Sequence, residues 1–179
     1  MPVKDPIKLV FSPEVIQQRV QELADQLAKD YAGSEPVVLG VLKGCFIFMS
    51  DLVRRLNLPV EIDFVRLSSY GSSDTSSGKV EMSTPPSLPL KGRPVVVVED
   101  IVDTGLTLAW LRDYLASLGP SSVRFCVLVD KAERREVDFN ADYVGFHVPG
   151  GFLVGYGLDF DERYRFLPGI YEISGEESN

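Results

Sequence analysis

The sequence predicts an α/β fold in which a mostly parallel central sheet is flanked by helices. Short apolar strands alternate along the chain with segments of helical periodicity, an order typical of parallel sheets. The clearest strand, residues 95–98, is a run of four valines, as in strands that are buried on both faces. It leads through acids and a small-residue turn into a new helical pattern. In open α/β sheets, ligands bind at the carboxyl end of such a strand.

Composition favours one soluble globular domain over residues 1–179, with 45% hydrophobic and 25% charged residues. The net charge of −8 argues against nucleic-acid binding, which needs a basic face. No apolar run is long enough to span a bilayer, and the N-terminus lacks the apolar core of a signal peptide. Cys45 and Cys126 lie in apolar surroundings outside any metal spacing, so we expect reduced core residues in a cytoplasmic protein.

The first elements are an arm and an amphipathic helix. Residues 1–11 form a short, partly apolar arm, and Ser12 with Pro13 gives a helix cap and first helical position. The predicted core face of this helix consists of Ile16, Val20, Leu23 and Leu27. The helix should end near residues 31–33, with Gly33 as its C-terminal cap.

A second strand–helix unit follows. Residues 36–42 are an apolar strand, and a helix is predicted from Cys45 to about Leu56. Lys43 and Gly44 lie between them. This position places a cation and free backbone donors at the carboxyl end of a strand, although a plain turn lysine is an equally good interpretation of the pair alone.

The next segment predicts a strand and a long loop. Residues 60–67 begin with Val60, Ile62 and Phe64 on one face, which indicates a strand. Residues 68–79 are almost all Ser, Gly, Thr and Asp, and 80–82 should return as a strand. A loop of this length in a compact domain is more often a lid or a disordered segment than a neutral connector.

The central strand carries the most informative motif. Glu99, Asp100 and Asp103 follow the valines, and the turn of residues 104–107 then opens a helix. Thr104 and Thr107 supply hydroxyls, Gly105 permits close backbone approach, and a helix N-terminus favours an anion. The acids suit sugar hydroxyls, a Mg²⁺ shell or a proton. A phosphate cradle beside hydroxyl-binding acids describes a ribose-5-phosphate site. The helix should bury Leu108, Leu111, Leu115 and Leu118.

Two further strands complete the predicted sheet. Residues 123–129 form a buried strand that is followed by Lys131 and the charged run 133–136. A charged run is usually a solvated face, but Lys131 sits where a strand ends, on the side where ligands gather. Residues 142–146 form a short strand, and we interpret His147 after it as a polar strand-end residue rather than a catalytic one.

At residues 95–107 the sequence resembles the phosphoribosyl-pyrophosphate (PRPP) motif of the type I phosphoribosyltransferases. The Glu99–Asp100 pair and Asp103 before Thr–Gly are most similar to the hypoxanthine–guanine branch. The resemblance implies the type I fold, with a small hood formed by the N-terminal arm and about residues 147–173, and a mobile lid at about 68–79. It also implies transfer of 5-phosphoribosyl from PRPP to N9 of a 6-oxopurine, with Mg²⁺ as cofactor.

The resemblance also implies roles for individual residues. Asp103 would act as the general acid/base near N7 of the purine. Mg²⁺ would be held by Asp159 with Glu99 and Asp100. Lys131 would contact the 6-oxo group. Residues implied to bind substrate are Lys43, Gly44, Ser69, Tyr70, Glu99, Asp100, Thr104, Gly105, Leu106, Thr107, Lys131, Phe152, Leu153 and Arg165.

One departure and two alternatives accompany the resemblance. Gly150–Gly151 stands where the family often has an Asp–Lys pair, which leaves the preferred base open. Xanthine–guanine enzymes remain the nearest enzymatic alternative, although they usually carry an Asp–Asp pair at the motif. A non-catalytic PRPP-sensing regulator is disfavoured by the net charge of −8 and by the presence of Lys131 and Asp159. The family is usually dimeric or tetrameric, so a homo-oligomer is expected.

Overall fold

A computed structural model of the chain describes residues 7–69 and 80–173. Within these ranges the chain forms nine strands, three α-helices and one short 3₁₀ helix at Ala132–Arg134. The strands are β1 Ile7–Phe11, β2 Val37–Leu42, β3 Glu61–Ser69, β4 Val80–Thr84, β5 Pro94–Val102, β6 Ser122–Asp130, β7 Tyr143–His147, β8 Phe152–Val154 and β9 Ile170–Ile173. The helices are α1 Pro13–Asp30, α2 Phe46–Val53 and α3 Leu106–Ser117.

The main sheet has six strands in the order β4-β3-β2-β5-β6-β7. All neighbouring strands in it run parallel except β3 and β4, which are antiparallel. The apolar run of β5 lies in the middle of this sheet, and its four valines are at most 2% exposed. A strand that is covered on both faces needs no polar residue on either side, which explains the run of valines. The predicted α/β fold with a mostly parallel sheet is confirmed.

Helix α1 packs on the sheet as the periodicity predicted. The Ser12 hydroxyl accepts a hydrogen bond from the amide of Val15 at 3.4 Å, and Pro13 occupies the first turn. The four predicted core residues of this helix are at most 2% exposed. The cap at the C-terminal end is Tyr31 rather than Gly33, which lies just beyond it with φ of +78°.

Two helix predictions were wrong in detail. Helix α2 ends at Val53 rather than near Leu56, because the chain tightens there: the amides of Arg55 and Leu56 both donate to the carbonyl of Leu52 at 3.0 Å. Leu118 is 37% exposed, whereas the other three predicted core leucines of α3 are buried. Leu118 caps the helix, so it has already left the buried face.

Strand β3 begins at Glu61 and extends to Ser69, two residues past the predicted end. The apolar face predicted for it is partly open, since Ile62 is 47% and Phe64 is 37% exposed. The opposite face is buried and includes Asp63, which accepts hydrogen bonds from the amides of Ser87 and Leu88 at 2.7 and 2.8 Å. This acid therefore anchors the segment that leads from β4 to β5.

A second, three-stranded antiparallel sheet joins the two ends of the described chain in the order β1-β9-β8. In this sheet, residues 7–11 of the predicted N-terminal arm form β1, which pairs Ile7 with Ile173. Most of the predicted lid, including Tyr70, lies outside the described residues, and Ser69 is the last residue of β3. Both cysteines are free and buried, as predicted. None of the helices described is both long and apolar enough to cross a membrane.

Candidate active site

The acids of the central motif lie inside strand β5 rather than after it. The strand continues to Val102, because β6 still pairs with it at Ile101 and Val102. This corrects the prediction that the strand ends at the acids. Glu99 and Asp100 therefore lie within the strand, where Glu99 pairs with Val127 of β6, and they are only 9% and 7% exposed.

The carboxyl end of β5 and the first turn of α3 enclose a cavity of about 270 Å³. Six of the residues that sequence analysis assigned to the site face it together. The lining consists of Val41, Leu42, Leu67, Glu99, Asp100, Ile101, Val102, Asp103, Thr104, Gly105, Thr107 and Leu108. Since Leu106 is the first residue of α3, its amide belongs to the same helix start. The carboxyl edge of the sheet thus brings the acids of β5 together with the turn that carries Thr104 and Thr107.

Burial, followed by the charge of Asp100, raises the pKa of Glu99 well above its ordinary value. Burial also raises the pKa of Asp100. The amide of Asp100 donates to Oε1 of Glu99 at 3.2 Å, and the amide of Ile101 donates to Oδ1 of Asp100 at 2.9 Å. Among the residues that the structure describes, no cation forms an ion pair with either carboxyl. Two adjacent buried carboxyls in this situation are stabilised when hydroxyl donors or a metal ion approach them.

The turn before α3 has the features of an anion site. Gly105 is the N-cap of α3 with φ of +84°, and as a glycine it has no side chain that could cap this helix end. The amide of Leu106 reaches the Thr104 hydroxyl at a long 3.4 Å. A Cβ on Gly105 would lie 2.9 Å from Cδ of Arg135, so protein packing as well as the left-handed backbone requires glycine. The helix N-terminus can therefore offer its amides and dipole to a phosphate.

The turn between β2 and α2 approaches the acids from the neighbouring strand. A Cβ on Gly44 would lie 1.7 Å from Oδ2 of Asp100, so only glycine fits this contact. The preceding Leu42–Lys43 peptide bond is cis. The ammonium of Lys43 lies 2.8 Å from Oε1 of Glu162. The structure thus brings Lys43 and Gly44 to the same edge of the sheet as the β5 acids.

Asp103 is held at one carboxylate oxygen and open at the other. Its Oδ2 lies 2.9 Å from Nη1 of Arg134, and its backbone carbonyl accepts from Nη1 of Arg135 at 3.0 Å. The Oδ1 atom is buried and has no hydrogen-bond partner among the described residues. A buried acceptor left open beside a cavity is suited to a proton or an N–H group of a ligand.

The charged run 133–136 was interpreted as a solvated face, which holds for Arg134 with a side chain 60% exposed but is wrong for Arg135. The Arg135 side chain is 15% exposed, forms an ion pair with Asp130 and lies over the Phe139 ring at 5.8 Å. Together with Arg134 it fixes the loop that carries Asp103. The position of the run directly after a strand could have revealed this role, because that is where side chains converge on a site.

Lys131 follows β6 and is only 6% exposed. Its ammonium donates to the carbonyl of Gly151 at 2.7 Å, which joins the end of β6 to the start of β8. Burial lowers its pKa, while Asp103 acts in the opposite direction. His147 is exposed and lies 3.6 Å from Asp130, consistent with its interpretation as a polar residue at a strand end.

The segment after β8 returns to the same edge of the sheet. Phe152 is 52% exposed and meets Phe160 edge to face at 5.0 Å, whereas Leu153 is buried. Nη2 of Arg165 lies 2.8 Å from Oδ1 of Asp159, and its Nη1 donates to the carbonyl of Gly157 at 2.8 Å. A Cβ on Gly157 would lie 2.2 Å from the Gly44 carbonyl, so this segment packs on the β2–α2 turn.

Sequence analysis missed two groups that hold this segment. Glu162 contacts both Lys43 and Arg165. The Tyr156 hydroxyl donates to Oδ2 of Asp51 in α2 at 2.6 Å, and that atom also accepts from Gln17 of α1 at 2.8 Å. The Tyr156–Asp51 and Gln17–Asp51 hydrogen bonds each join residues more than thirty positions apart in sequence, and no local sequence pattern indicates such a pairing.

The carboxyl edge of the parallel sheet combines buried acids, a helix N-terminus and converging cations. This combination is typical of α/β enzymes that bind phosphorylated sugars. The sequence model of the phosphoribosyl transferase domain matches residues 12–161. The chain belongs to this phosphoribosyltransferase family.

Individual relatives agree over nearly the whole chain. A hypoxanthine-guanine phosphoribosyltransferase of Aquifex aeolicus is 47% identical, with 93% of this chain and 94% of the relative covered. The crystal structure of a hypoxanthine-guanine phosphoribosyltransferase from Bacillus anthracis superposes with a TM-score of 0.89 at 46% identity, covering 93% and 98% of the two chains. A Trypanosoma cruzi hypoxanthine phosphoribosyl transferase, studied for the role of its C-terminal region in oligomeric state and activity, superposes with a TM-score of 0.89 at 40% identity, covering 97% and 94%.

Proposed function

We propose that the chain is a purine salvage enzyme that transfers 5-phosphoribosyl from PRPP to N9 of hypoxanthine or guanine. The products are the corresponding nucleotide, IMP or GMP, and pyrophosphate. The observation that carries the proposal is the cavity in which the β5 acids and the first turn of α3 face each other. The hypoxanthine-guanine relatives named above, which cover 93% of this chain, support the choice of base.

The sugar phosphate would bind across the cavity. The turn 104–107 would hold the 5-phosphate through the Thr104 and Thr107 hydroxyls and the amides of Gly105 and Leu106. Glu99 and Asp100 would accept hydrogen bonds from the 2- and 3-hydroxyls of the ribose. Lys43, Gly44 and Arg165 would bind the pyrophosphate group, and the Ser69–Tyr70 pair of the 68–79 lid would cover it and exclude water.

The purine would lie between Phe152 and the end of β6. The exposed ring of Phe152 would stack on the base, and the backbone of Leu153 would bind the base edge. Lys131 would donate to the 6-oxo group, and its hydrogen bond to Gly151 already orients the ammonium. The open Oδ1 of Asp103 would face the N7 side of the ring.

Mg²⁺ fits the donor set of this site. Mg²⁺ prefers carboxylate oxygens together with substrate phosphates, rather than an all-protein cage. The described residues contain no ready-made cluster of three or more ligating side chains. Asp159, with Glu99 and Asp100, would supply the carboxylates, and raised pKa values of the buried pair indicate that a cation there would be favourable. When bound, Mg²⁺ would neutralise the pyrophosphate leaving group.

The reaction would pass through an oxocarbenium-like state as the C1–O bond to pyrophosphate loosens. Glu99 and Asp100 would place negative charge near the developing cation at C1. Attack by N9 forms the new C1–N bond while pyrophosphate leaves with the bonding electrons. Asp103 would accept or hold the proton at N7 during this attack.

A base panel tests the proposed reaction. PRPP and Mg²⁺ are incubated with hypoxanthine, guanine, xanthine, adenine or uracil, and nucleotide formation is followed. Turnover of hypoxanthine or guanine is expected. Dominant turnover of xanthine and guanine would favour the xanthine–guanine alternative. PRPP binding without turnover of any base would overturn the enzyme proposal in favour of a non-catalytic PRPP sensor.

Residues 1–179 would act as one domain in which the β1-β9-β8 sheet is the hood over the base. A homodimer or homotetramer in the cytoplasm is proposed, without nucleic-acid or membrane partners. The half-exposed apolar residues of β3, Ile62 and Phe64, support an interface between copies. The two free buried cysteines suit a reducing compartment.

A further inference from the structure

One carboxylate contacts both side-chain cations that the proposed function assigns to pyrophosphate. Oε1 of Glu162 lies 2.8 Å from Nζ of Lys43, and its Oε2 lies 3.2 Å from Nη2 of Arg165. Lys43 follows β2, whereas Arg165 belongs to the segment after β8. The two oxygens of Glu162 therefore bridge two distant segments, as two oxygens of one phosphate group would.

A tight turn fixes the backbone of Glu162. Phe160 and Arg163 exchange backbone hydrogen bonds of 3.2 and 3.0 Å, so Asp161 and Glu162 are the central residues of a two-residue turn. Their φ angles are +51° and +60°, a conformation that Asn and Gly adopt most readily. A glutamate here costs backbone strain, which is typical of positions kept for the sake of their side chain.

The amide of Glu162 also connects the turn to the site. It donates to Oδ2 of Asp159 at 2.9 Å, while Oδ1 of Asp159 contacts Arg165 at 2.8 Å. The turn, the proposed metal-binding acid and the arginine thus form one unit. The negative charge of Glu162 therefore changes the electrostatic potential where the pyrophosphate group would lie.

We propose that Glu162 is an internal competitor of pyrophosphate and so sets the affinity of the enzyme for PRPP and for its product. The inference rests on the proposed function, because it takes Lys43 and Arg165 as pyrophosphate ligands. The carboxylate must leave both cations before a pyrophosphate group can contact them. The Lys43 and Glu162 side chains are 46% and 63% exposed, so water weakens their ion pair. The Arg165 side chain is 19% exposed, and its pair with Glu162 can be exchanged because the carboxylate itself is open to solvent. Such competition weakens product binding and eases release.

The test is direct binding of pyrophosphate and of PRPP by isothermal titration calorimetry in the presence of Mg²⁺. Glu162→Gln keeps the size of the side chain and removes its charge. We expect this variant to bind both ligands about two- to fivefold more tightly than the wild type, the range that one or two exposed ion pairs allow. Product inhibition by pyrophosphate should strengthen by the same factor.

Asp161→Asn is the matched control. Asp161 lies in the same turn, carries the same charge and pairs with Arg163 at 3.7 Å rather than with the site. We expect its binding constants to change less than about 1.5-fold. Equal tightening in both variants would mean a general charge effect and would overturn the inference. Weaker binding in Glu162→Gln would also overturn it, because Glu162 would then assist the ligand.

A third variant separates this inference from the proposed function. In a Lys43→Met background, Glu162→Gln should have a smaller effect, because one of the two contested cations is gone. If the wild type binds neither pyrophosphate nor PRPP, the proposed function fails. If the wild type binds both and Glu162→Gln leaves affinity unchanged, only the competition by Glu162 is disproved.

Discussion

At the scale of single residues, the site combines acids in three different environments. Glu99 and Asp100 are buried side by side, and burial raises the pKa of each. Asp103 has one oxygen against Arg134 and the other without a partner among the described residues. Asp159 is held by Arg165 and by the amide of Glu162. These surroundings, rather than the residue types, distinguish the roles proposed for the four carboxylates.

Asp103→Asn should cripple the chemical step and spare PRPP binding. The amide keeps the shape of the side chain but cannot accept the proton, and general acid–base help is typically worth about 10²- to 10⁴-fold in rate. We expect kcat to fall within that range while the Kd for PRPP changes less than about threefold. The control is Asp113→Asn on the exposed side of α3. If Asp103→Asn keeps more than about a third of the wild-type rate, Asp103 is not the base.

Glu99→Gln should stabilise the protein in a pH-dependent way. The pKa of Glu99 is raised above its ordinary value of 4.5. The raised pKa therefore contributes its full stabilisation below pH 4.5, the ordinary pKa of the group. This stabilisation is lost as the pH rises through the higher pKa of the folded protein. We expect the urea midpoint of the variant to exceed that of the wild type at about pH 8 and the difference to shrink towards about pH 4. Exposed Glu133→Gln is the control, and parallel curves for Glu99→Gln and the wild type would contradict the expectation.

At the scale of elements, the site is assembled where separate strand–helix units meet. The β2–α2 turn leaves no room for a side chain at Gly44 against Asp100 of β5, and the segment after β8 packs on the Gly44 carbonyl through Gly157. The Tyr156–Asp51 contact ties that same segment to α2 and, through Gln17, to α1. The site geometry therefore depends on how tightly these units approach one another.

Gly44→Ala should damage both stability and PRPP binding. Its new Cβ would overlap Oδ2 of Asp100, so the turn or the acid must move. Overpacking typically costs about 1–3 kcal/mol, and we expect a loss of that size by urea denaturation together with at least tenfold weaker PRPP binding. Gly150→Ala is the matched control, because a Cβ there meets nothing within 4 Å. Similar behaviour of the two variants would contradict the proposed role of the close approach.

Tyr156→Phe should destabilise the segment that carries Asp159 and Arg165. Burial raises the pKa of Asp51, but hydrogen bonds from Tyr156, Gln17 and Arg54 outweigh it and lower the pKa overall. The carboxylate is therefore the form that accepts the Tyr156 hydroxyl, and a hydrogen bond to a charged group is worth about 1.5–3 kcal/mol. We expect a loss of that size in the free energy of unfolding.

The measurement for Tyr156→Phe is urea denaturation with Tyr114→Phe alongside. Tyr114 stacks on Trp110 at 5.5 Å, and its hydroxyl makes no hydrogen bond with the described residues. The control should therefore stay within about 0.5 kcal/mol of the wild type. A Tyr156→Phe protein as stable as the control would show that the buried hydroxyl is dispensable.

At the scale of the whole molecule, the residues of the proposed site are distributed over two sheets. The six-stranded sheet places the acids, Lys43 and Lys131 at the carboxyl ends of its parallel strands, while the three-stranded sheet carries Phe152 and Leu153. The hydrogen bond from Lys131 to the Gly151 carbonyl links the two sheets at the proposed base site. Base selection and pyrophosphate binding are therefore expected to depend on both sheets, and binding of the 5-phosphate on the larger one.

Ile62→Lys should weaken the proposed association between copies. Ile62 is 47% exposed on β3 next to Phe64, and a lysine there would place charge in a contact formed by apolar side chains. We expect the molecular mass from light scattering to shift towards the monomer. Val15→Lys, at an equally exposed valine on α1, should leave the mass unchanged. An unaltered mass for Ile62→Lys would exclude this face as the interface.

The sequence by itself determined the features that depend on neighbouring residues in the chain. The buried valines of β5, the cap and core face of α1 and the order along the chain of the strands in the six-stranded sheet follow from local periodicity and are confirmed. The three strands of the smaller sheet were not predicted. The acid–turn–helix motif is also local, so it could be recognised without a structure. The exact ends of α2 and β5 could not, because pairing and packing with other elements set them.

Tertiary structure alone decided which distant groups meet. Arg134 and Arg135 hold the Asp103 loop, Glu162 spans Lys43 and Arg165, and Tyr156 reaches Asp51, although each arises from a segment with an ordinary local pattern. Ion pairs and hydrogen bonds between remote residues leave no periodic trace in the sequence. They exist only where hydrophobic burial brings the strand ends together, so these contacts, unlike the acid–turn–helix motif, are visible only in the folded chain.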